Sequence, residues 1–392
     1  MSTAAGALAL VMSGGGARAA YQVGVLRALA RNFPDLAPPI VTGVSAGAIN
    51  AAWLASRAGA FRLAVDGLVD LWAGLRSRDV FEVDLAHLAA SFGRWGLRLA
   101  TGGSHAMPSP RGMLDTAPLD ALLRARLPNR DGRLIGVEAA VAQGRIDAVG
   151  ITTSDYVSGG SVTWVEGREV TPWRRPHRRS AEGPLTIDHV RASAALPLLF
   201  PAVRLGSGWH GDGGIRLTAP LSPALHLGAR RIVAISTRYR PAPGEAPRPM
   251  VHGYPPPAQV IGALTNAVFL DMFDFDAANL ARITRLLTHV PPAQRQGMVP
   301  VGAMVLRPSM DLGRLAAAAE VAMPRALRFF TRGFGTRDTE SPDSLSLLLF
   351  EPAYLGRLLD LGDADTERRI EEIGRFLRGE GVEEEPLSAE FT

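Results

Sequence analysis

Ala7-Leu8-Ala9-Leu10-Val11-Met12-Ser13-Gly14-Gly15-Gly16-Ala17-Arg18 is the stretch on which the fold turns. Six apolar residues run into a serine and three glycines, which reads as a buried strand entering a tight turn. Residues 17–30 then carry helical spacing through Ala20, Val23, Leu26 and Ala30. A second short apolar run at 40–44 is followed by a helix-like stretch over 46–58, and further strand-like runs fall at 146–153, 162–165, 231–237 and 303–306. Strands alternating with helices predict an α/β fold with a largely parallel central sheet.

Composition narrows the chemistry. The 392 residues include no cysteine, which removes thiol nucleophiles, thiolate zinc sites and disulfides. They include no lysine either, so all 42 basic residues are arginine. That excludes Schiff-base chemistry, a Walker-type phosphate loop and the kinase lysine. The formal charge of +4 is small, and no nucleic-acid-binding surface is expected from it. Residues 1–10 have no basic segment ahead of their apolar stretch, and no window reaches about 18 uninterrupted apolar residues. The expected location is the cytoplasm, with peripheral contact at a membrane left open. Three segments read as loops: 101–112, 240–257, and 171–184 with Arg174, Arg175, Arg178 and Arg179. Residues 381–392 read as an acidic tail.

Three motifs carry chemistry. In Gly14-Gly15-Gly16-Ala17-Arg18, consecutive glycines let the backbone turn sharply and expose N–H groups at a helix N-terminus. Such a loop holds a phosphate or a developing oxyanion. Gly14, Gly16 and Ala19 also satisfy the dinucleotide pattern G-x-G-x-x-A, but that reading needs an acidic residue near the end of the second strand. Residues 40–43 end Thr42-Gly43 without a carboxylate. Gly43-Val44-Ser45-Ala46-Gly47 is G-x-S-x-G between a strand and a helix, the form of a nucleophile elbow and equally of a turn with an N-cap serine. Ser45 follows only the second strand, early for the usual α/β-hydrolase plan. Gly211-Asp212-Gly213-Gly214 places a carboxylate in a tight turn, where Asp-Gly is common in any case. Each motif alone is weak, and their combination in this order is not.

Taken together, Gly14–Arg18, Gly43–Gly47 and Asp212–Gly214 resemble the patatin-like phospholipase family. The segments Ala192-Ser193-Ala194-Ala195-Leu196-Pro197 with Phe200-Pro201, and Met113-Leu114-Asp115 with Pro118-Leu119, are similar to recurring stretches of that family. The resemblance is strong over 7–237 and fainter over 271–285 and 352–377. Ala19 departs from it, standing where many members carry glycine.

The resemblance implies a three-layer α/β/α sandwich and a lipid acyl hydrolase working through a Ser-Asp dyad. Ser45 would be the nucleophile and Asp212 the base, with Gly14, Gly15, Gly16 and Arg18 forming or supporting the oxyanion hole. Gly43 and Gly47 would flank the elbow, and Gly213 and Gly214 the base turn. No metal or cofactor is implied; the implied partner is a lipid or phospholipid, with transient contact at a membrane surface. The division expected is a catalytic domain over 5–290, a mostly helical extension over 291–380 packed on it, and the tail. A cover from 81–123 and the C-terminal region is expected over the site. Trp95 and Leu97, or the apolar stripe over 258–275 (Ile261, Leu264, Val268, Phe269, Met272), would line an acyl pocket, touch a bilayer, or simply pack as core. His210, His226 and His252 keep a histidine-based triad open. The alternative of another class is a non-catalytic lipid- or membrane-binding module on the same fold. Nothing in the sequence indicates oligomeric state.

Overall fold

The computed structural model of the chain describes residues 7–82, 112–240, 271–333 and 343–380, with scattered positions within 90–102, 254–264 and 335–336. Among the described residues ten strands form one sheet: β1 (Leu8–Met12), β2 (Ile40–Val44), β3 (Ala148–Asp155), β4 (Ser161–Gly167), β5 (Arg174–Arg175), β6 (Arg178–Glu182), β7 (Val203–Leu205), β8 (Gly208–Asp212), β9 (Arg231–Ile235) and β10 (Gly302–Leu306). Their order is β10-β9-β1-β2-β3-β4-β6-β5, with β8 attached to β3 and β7 to β8. From β10 to β3 every pair is parallel, whereas β3–β4, β3–β8, β7–β8 and β5–β6 are antiparallel.

The helices that matter for the site are α1 (Ala20–Asn32), α2 (Ala46–Ser56), α3 (Phe61–Gly74), α4 (Ala117–Arg126), α5 (Ile187–Ser193), α6 (Asp271–Thr288), α7 (Asp343–Leu348) and α8 (Pro352–Glu367). They lie on both faces of the sheet, and β1 shows why. Its side chains alternate between faces with period two. Leu8, Leu10 and Met12 enter one core with Leu26 of α1, Trp53 of α2, Leu68 of α3 and Leu355 of α8. Ala9 and Val11 enter another with Phe273, Ala277 and Leu280 of α6. All five β1 residues are buried, so the strand reads as a continuous apolar run. The result is the expected α/β/α arrangement around a mostly parallel sheet. Residues 291–380 contribute both β10 to the sheet edge and α8 to the core against α1.

Some local expectations shift. The helix read over 17–30 begins as a 3-10 turn at Gly16–Ala19, because Gly16 sits at φ 53 and the chain winds tightly out of the glycine turn; α1 proper starts at Ala20. The arginine-rich segment 171–184 contains the hairpin β5–β6, paired to β4 through its backbone. An edge hairpin with arginines on it shows no apolar alternation, so nothing in the side-chain pattern announced it. Most of 101–112 and 240–257, and all of 381–392, lie outside the described residues. Among the described residues no helix is long and apolar enough to cross a membrane.

Candidate active site

β2 and β8 share one lane along β3. β2 pairs in parallel with its first half, from Ile40↔Ala148 to Val44↔Thr152. β8 pairs antiparallel with its second half, from Thr153↔Asp212 to Asp155↔His210. β4 occupies the other edge of β3 along most of its length. The two strands therefore run towards each other and end face to face, Ser45 just past one end and Asp212 closing the other. This junction lies at the carboxyl edge of the parallel strands, where open α/β sheets place their ligands.

Ser45 occupies the turn from β2 into α2 with φ 57 and ψ −132, a conformation rare for a residue with a side chain. Its neighbours hold it there. The Ser45 N–H donates to Ser193 Oγ at 2.9 Å, and Ser193 Oγ donates in turn to the Thr152 carbonyl at 2.7 Å. A Cβ on Gly47 would run into the carbonyls of Met12 and Ser13, and one on Gly43 into the Gly47 carbonyl. The first turn of α2 can sit flush against the ends of β1 and β2 only because both positions lack a side chain. Ser45 is 2% exposed.

Asp212 is fully buried, at 0% exposure. Its N–H donates to the Ala195 carbonyl at 2.9 Å and its carbonyl accepts from Ser154 Oγ at 2.8 Å. Within the carboxyl, Oδ1 accepts from the Gly214 N–H at 2.9 Å. The Ser45 hydroxyl lies alongside as a donor, loosely enough that Oδ2 has no partner of full hydrogen-bond geometry. Gly213 and Gly214 open the 3-10 turn that follows. Burial pushes the Asp212 pKa up to about 7, against the opposing pull of the Ser45 and Gly214 donors. A carboxyl poised near neutrality can both accept and return a proton.

The glycine loop borders this pair directly. A Cβ on Gly14 would lie 3.0 Å from Ser45 Cβ. Gly14 turns its carbonyl onto Thr237 Oγ1 at 2.8 Å and Ser13 Oγ at 3.1 Å. Gln22 Nε2 holds the Ser13 carbonyl at 2.7 Å. The N–H groups of Gly14 and Gly15 have no acceptor among the described residues. Gly15, at φ 146, abuts Thr237, and Gly16 abuts the Leu347 carbonyl of α7. Arg18 is buried and engaged by α7: its guanidinium pairs with Asp343, and Nε donates to Ser346 Oγ at 2.6 Å. Arg18 therefore ties the glycine loop to α7.

His210 and His226 are otherwise occupied. His210 meets Thr153 Oγ1 through Nδ1 at 3.0 Å and packs edge-on to Trp164. His226 stacks on Trp173 with centroids 4.9 Å apart. Among the described residues no histidine hydrogen-bonds to Ser45 or to the Asp212 carboxyl; His252 lies outside them.

An apolar cavity opens beside Ser45, walled by Ile49 and Trp53 of α2, Trp72 of α3, Leu123 of α4, Phe200 and Phe350. Helix α4, which overlaps the expected 81–123 region, and Phe350 from the C-terminal region thus wall the cavity; most of 83–111 lies outside the described residues. Among the described residues, none from the apolar segments proposed from sequence lines this cavity. Leu97, Leu264 and Phe275 are exposed and Met272 is half-buried, while Trp95, Ile261, Val268 and Phe269 lie outside the described residues. Sequence reasoning also missed the supporting residues Ser154, Ser193, Thr237, Asp343 and Ser346. Only Ser193 stood in a quoted motif, and nothing local distinguished its hydroxyl.

The chain is thus a mostly parallel α/β sheet that presents a serine on a strained strand–helix turn, beside a buried carboxyl and a glycine loop. The profile of the Patatin-like phospholipase family matches residues 10–225, more than half of the chain, and the protein belongs to that family. No curated protein sequence matches significantly. Solved structures with a similar outline include VipD from Legionella pneumophila, with TM-score 0.35 and 12% identity over 95% of this chain and 68% of that one. Human GIVD cytosolic phospholipase A2 gives TM-score 0.42 and 13% identity over 95% of this chain and 62% of that one. The same enzyme with methyl gamma-linolenyl fluorophosphonate gives 0.42 and 15%, over 95% and 59%. This chain thus spans about three-fifths to two-thirds of the length of those proteins, and the assignment rests on the family match.

Proposed function

We propose that the protein hydrolyses lipid acyl esters, with phospholipids or lysophospholipids as substrates, through Ser45 and Asp212. The observation that carries this reading is the head-to-head placement of a strained Ser45 and a wholly buried Asp212 whose carboxyl is poised near pH 7. Ser45 Oγ attacks the ester carbonyl carbon while Asp212 takes the hydroxyl proton. The oxyanion that forms is met by backbone N–H groups of the glycine loop, of which Gly14 and Gly15 have no other acceptor among the described residues. Collapse of the tetrahedral species expels the alcohol, which leaves with the proton from Asp212, and an acyl-Ser45 ester remains. Water then loses a proton to Asp212 and attacks that ester; Ser45 recovers its proton as the fatty acid departs. The cavity walled by Trp53, Trp72 and Phe350 fits the apolar chain of the acyl group.

The test compares hydrolysis of a chromogenic acyl ester and a phospholipid by wild type, Ser45→Ala, Asp212→Asn and His210→Ala, with fluorophosphonate labelling of Ser45. The expected result is loss of at least about a thousandfold in the first two variants and retention in the third. Loss with His210→Ala refutes the dyad. An active wild type that takes no label at Ser45 refutes the nucleophile.

A further inference from the structure

Three chain reversals project from the sheet at the same end as Ser45 and Asp212. The β3–β4 turn follows Asp155, the tip of the β5–β6 hairpin lies beside it through the pairing Ser161↔Arg178, and the β7–β8 hairpin runs outward past His210 to Trp209. The side chains gathered there are unusual. Val157 is 75% exposed, Tyr156 49% and Trp209 47%, although all three are apolar or aromatic. Tyr156 donates its N–H to the Trp209 carbonyl at 3.0 Å, and its ring lies against Gly211, next to Asp212. Burial, and after it the charge of Asp212, pushes the Tyr156 hydroxyl pKa up, a further sign of that proximity.

Around these tips stand Arg174, Arg175, Arg179, Arg204 and Arg216, all exposed, whereas Arg178 beside them is half-buried, with Nη1 buried and the Asp276 carboxylate within its electrostatic reach. Arg204 is paired across the hairpin to Trp209, and Arg216 lies beside Gly159. None of the five exposed arginines forms an ion pair among the described residues. That sets them apart from Arg27, Arg31, Arg124, Arg191 and Arg369, which all find carboxylates. The nearest acid at the turn, Asp155, is taken up by Ser158 Oγ and the Val157 N–H. A cluster of cations without counter-ions, interleaved with aromatic and branched side chains that water does not favour, matches an interface that is anionic outside and apolar within.

We propose that this surface docks the protein on an anionic phospholipid bilayer, with the arginines on the headgroups and Tyr156, Val157 and Trp209 entering the headgroup–acyl boundary. The choice of lipid over another polyanion rests on the lipid-ester reading, since the surface borders Asp212, and on the exposed apolar tips. Docked in this way, the protein presents the Ser45–Asp212 junction to the membrane, so an ester can enter the site without crossing bulk water.

The test is sedimentation of the full chain with vesicles of phosphatidylcholine alone, and with vesicles in which about a quarter of the lipid is phosphatidylserine. Hydrolysis of a soluble short-chain ester is measured in parallel. Wild type is expected to partition onto the anionic vesicles and to be released by high salt. The double variant Arg175→Gln/Arg179→Gln is expected to partition about 25-fold more weakly, about fivefold for each arginine, and to keep its short-chain esterase activity. Val157→Ser is expected to weaken anionic-vesicle binding without altering its salt dependence. Equal binding of wild type to both vesicle types, or undiminished binding by the double variant, overturns the proposal. So does an unchanged Val157→Ser together with equally tight binding to polyglutamate or heparin, which identifies a generic polyanion site. Vesicle binding without ester hydrolysis would instead sink the catalytic reading and leave the docking surface standing.

Discussion

Replacing Asp212 by asparagine should stabilise the protein, and should do so increasingly as pH rises. In the unfolded chain this carboxyl titrates near 3.8, and in the fold burial moves it to about 7. Because the folded value is raised, the native state disfavours the charged form. Below pH 3.8 the carboxyl is neutral in both states and costs nothing on this account. Stability then declines as pH rises from there to about 7, and the full cost persists above it. At about 1.4 kcal/mol per pH unit, that cost reaches about 4 kcal/mol. Asparagine avoids it while keeping an oxygen to accept the Gly214 N–H. For 392 residues, about 4 kcal/mol corresponds to roughly 5 °C in Tm. Thermal unfolding of wild type and Asp212→Asn across about pH 5 to 9 should show a gap that widens to about pH 7 and is constant beyond. The reasoning is refuted by a gap that does not change with pH, or by a wild type that is the more stable above pH 7. A positive result would mean that the protein carries a standing destabilisation at the position where the proposed chemistry needs a base.

Other outcomes follow from the same contacts. The kcat/KM for a soluble ester should rise with pH and level off above about 7, as Asp212 loses its proton; a profile already flat from pH 5 would exclude this carboxyl as the base. Ser193→Ala leaves the Ser45 N–H and the Thr152 carbonyl without a shared partner, so about 1–3 kcal/mol of stability should be lost on denaturant unfolding. Its kcat should fall while Ser45 still takes up fluorophosphonate, more slowly. Asp343→Ala removes the carboxylate paired with the buried Arg18 guanidinium and should cost about 3–5 kcal/mol, with kcat falling more than KM changes; Arg18→Met in the same chain should recover part of that stability.

What the sequence disclosed, and what it withheld, divides along physical lines. Glycines at 14–16, 43, 47 and 213 are needed by their own backbone turns or by close approaches at those turns, so the constraint is written at the position itself. The strands β1, β2, β9 and β10 were legible because buried parallel strands are short apolar runs bounded by turn residues. Ser193, Thr237 and Asp343 are ordinary polar residues in isolation; each acquires meaning only through a partner distant in the chain, as Asp343 does through Arg18. The apolar cavity escaped for a related reason. Trp53, Trp72 and Leu123 look like core residues of amphipathic helices, and they are; only the packing of α2, α3 and α4 beside Ser45 leaves a gap between them. For Leu97 and Leu264 sequence left pocket lining, bilayer contact and core packing open; the fold leaves both exposed, which overturns the core reading.

Because β2 and β8 abut end to end on β3, the gap between Ser45 and Asp212 is measured out by the backbone of a third strand, at the single step from Thr152 to Thr153. β3 acts as a ruler. Extra chain inserted in the connections between β2 and β3, or between β3 and β8, lengthens the protein without altering the graduation. A one-residue insertion within β3 at that step would move one end of the lane by a whole residue and turn its side chains to the opposite face. Variation in size is thus open to this architecture in those connections and closed in eight consecutive residues that take no direct part in the proposed chemistry.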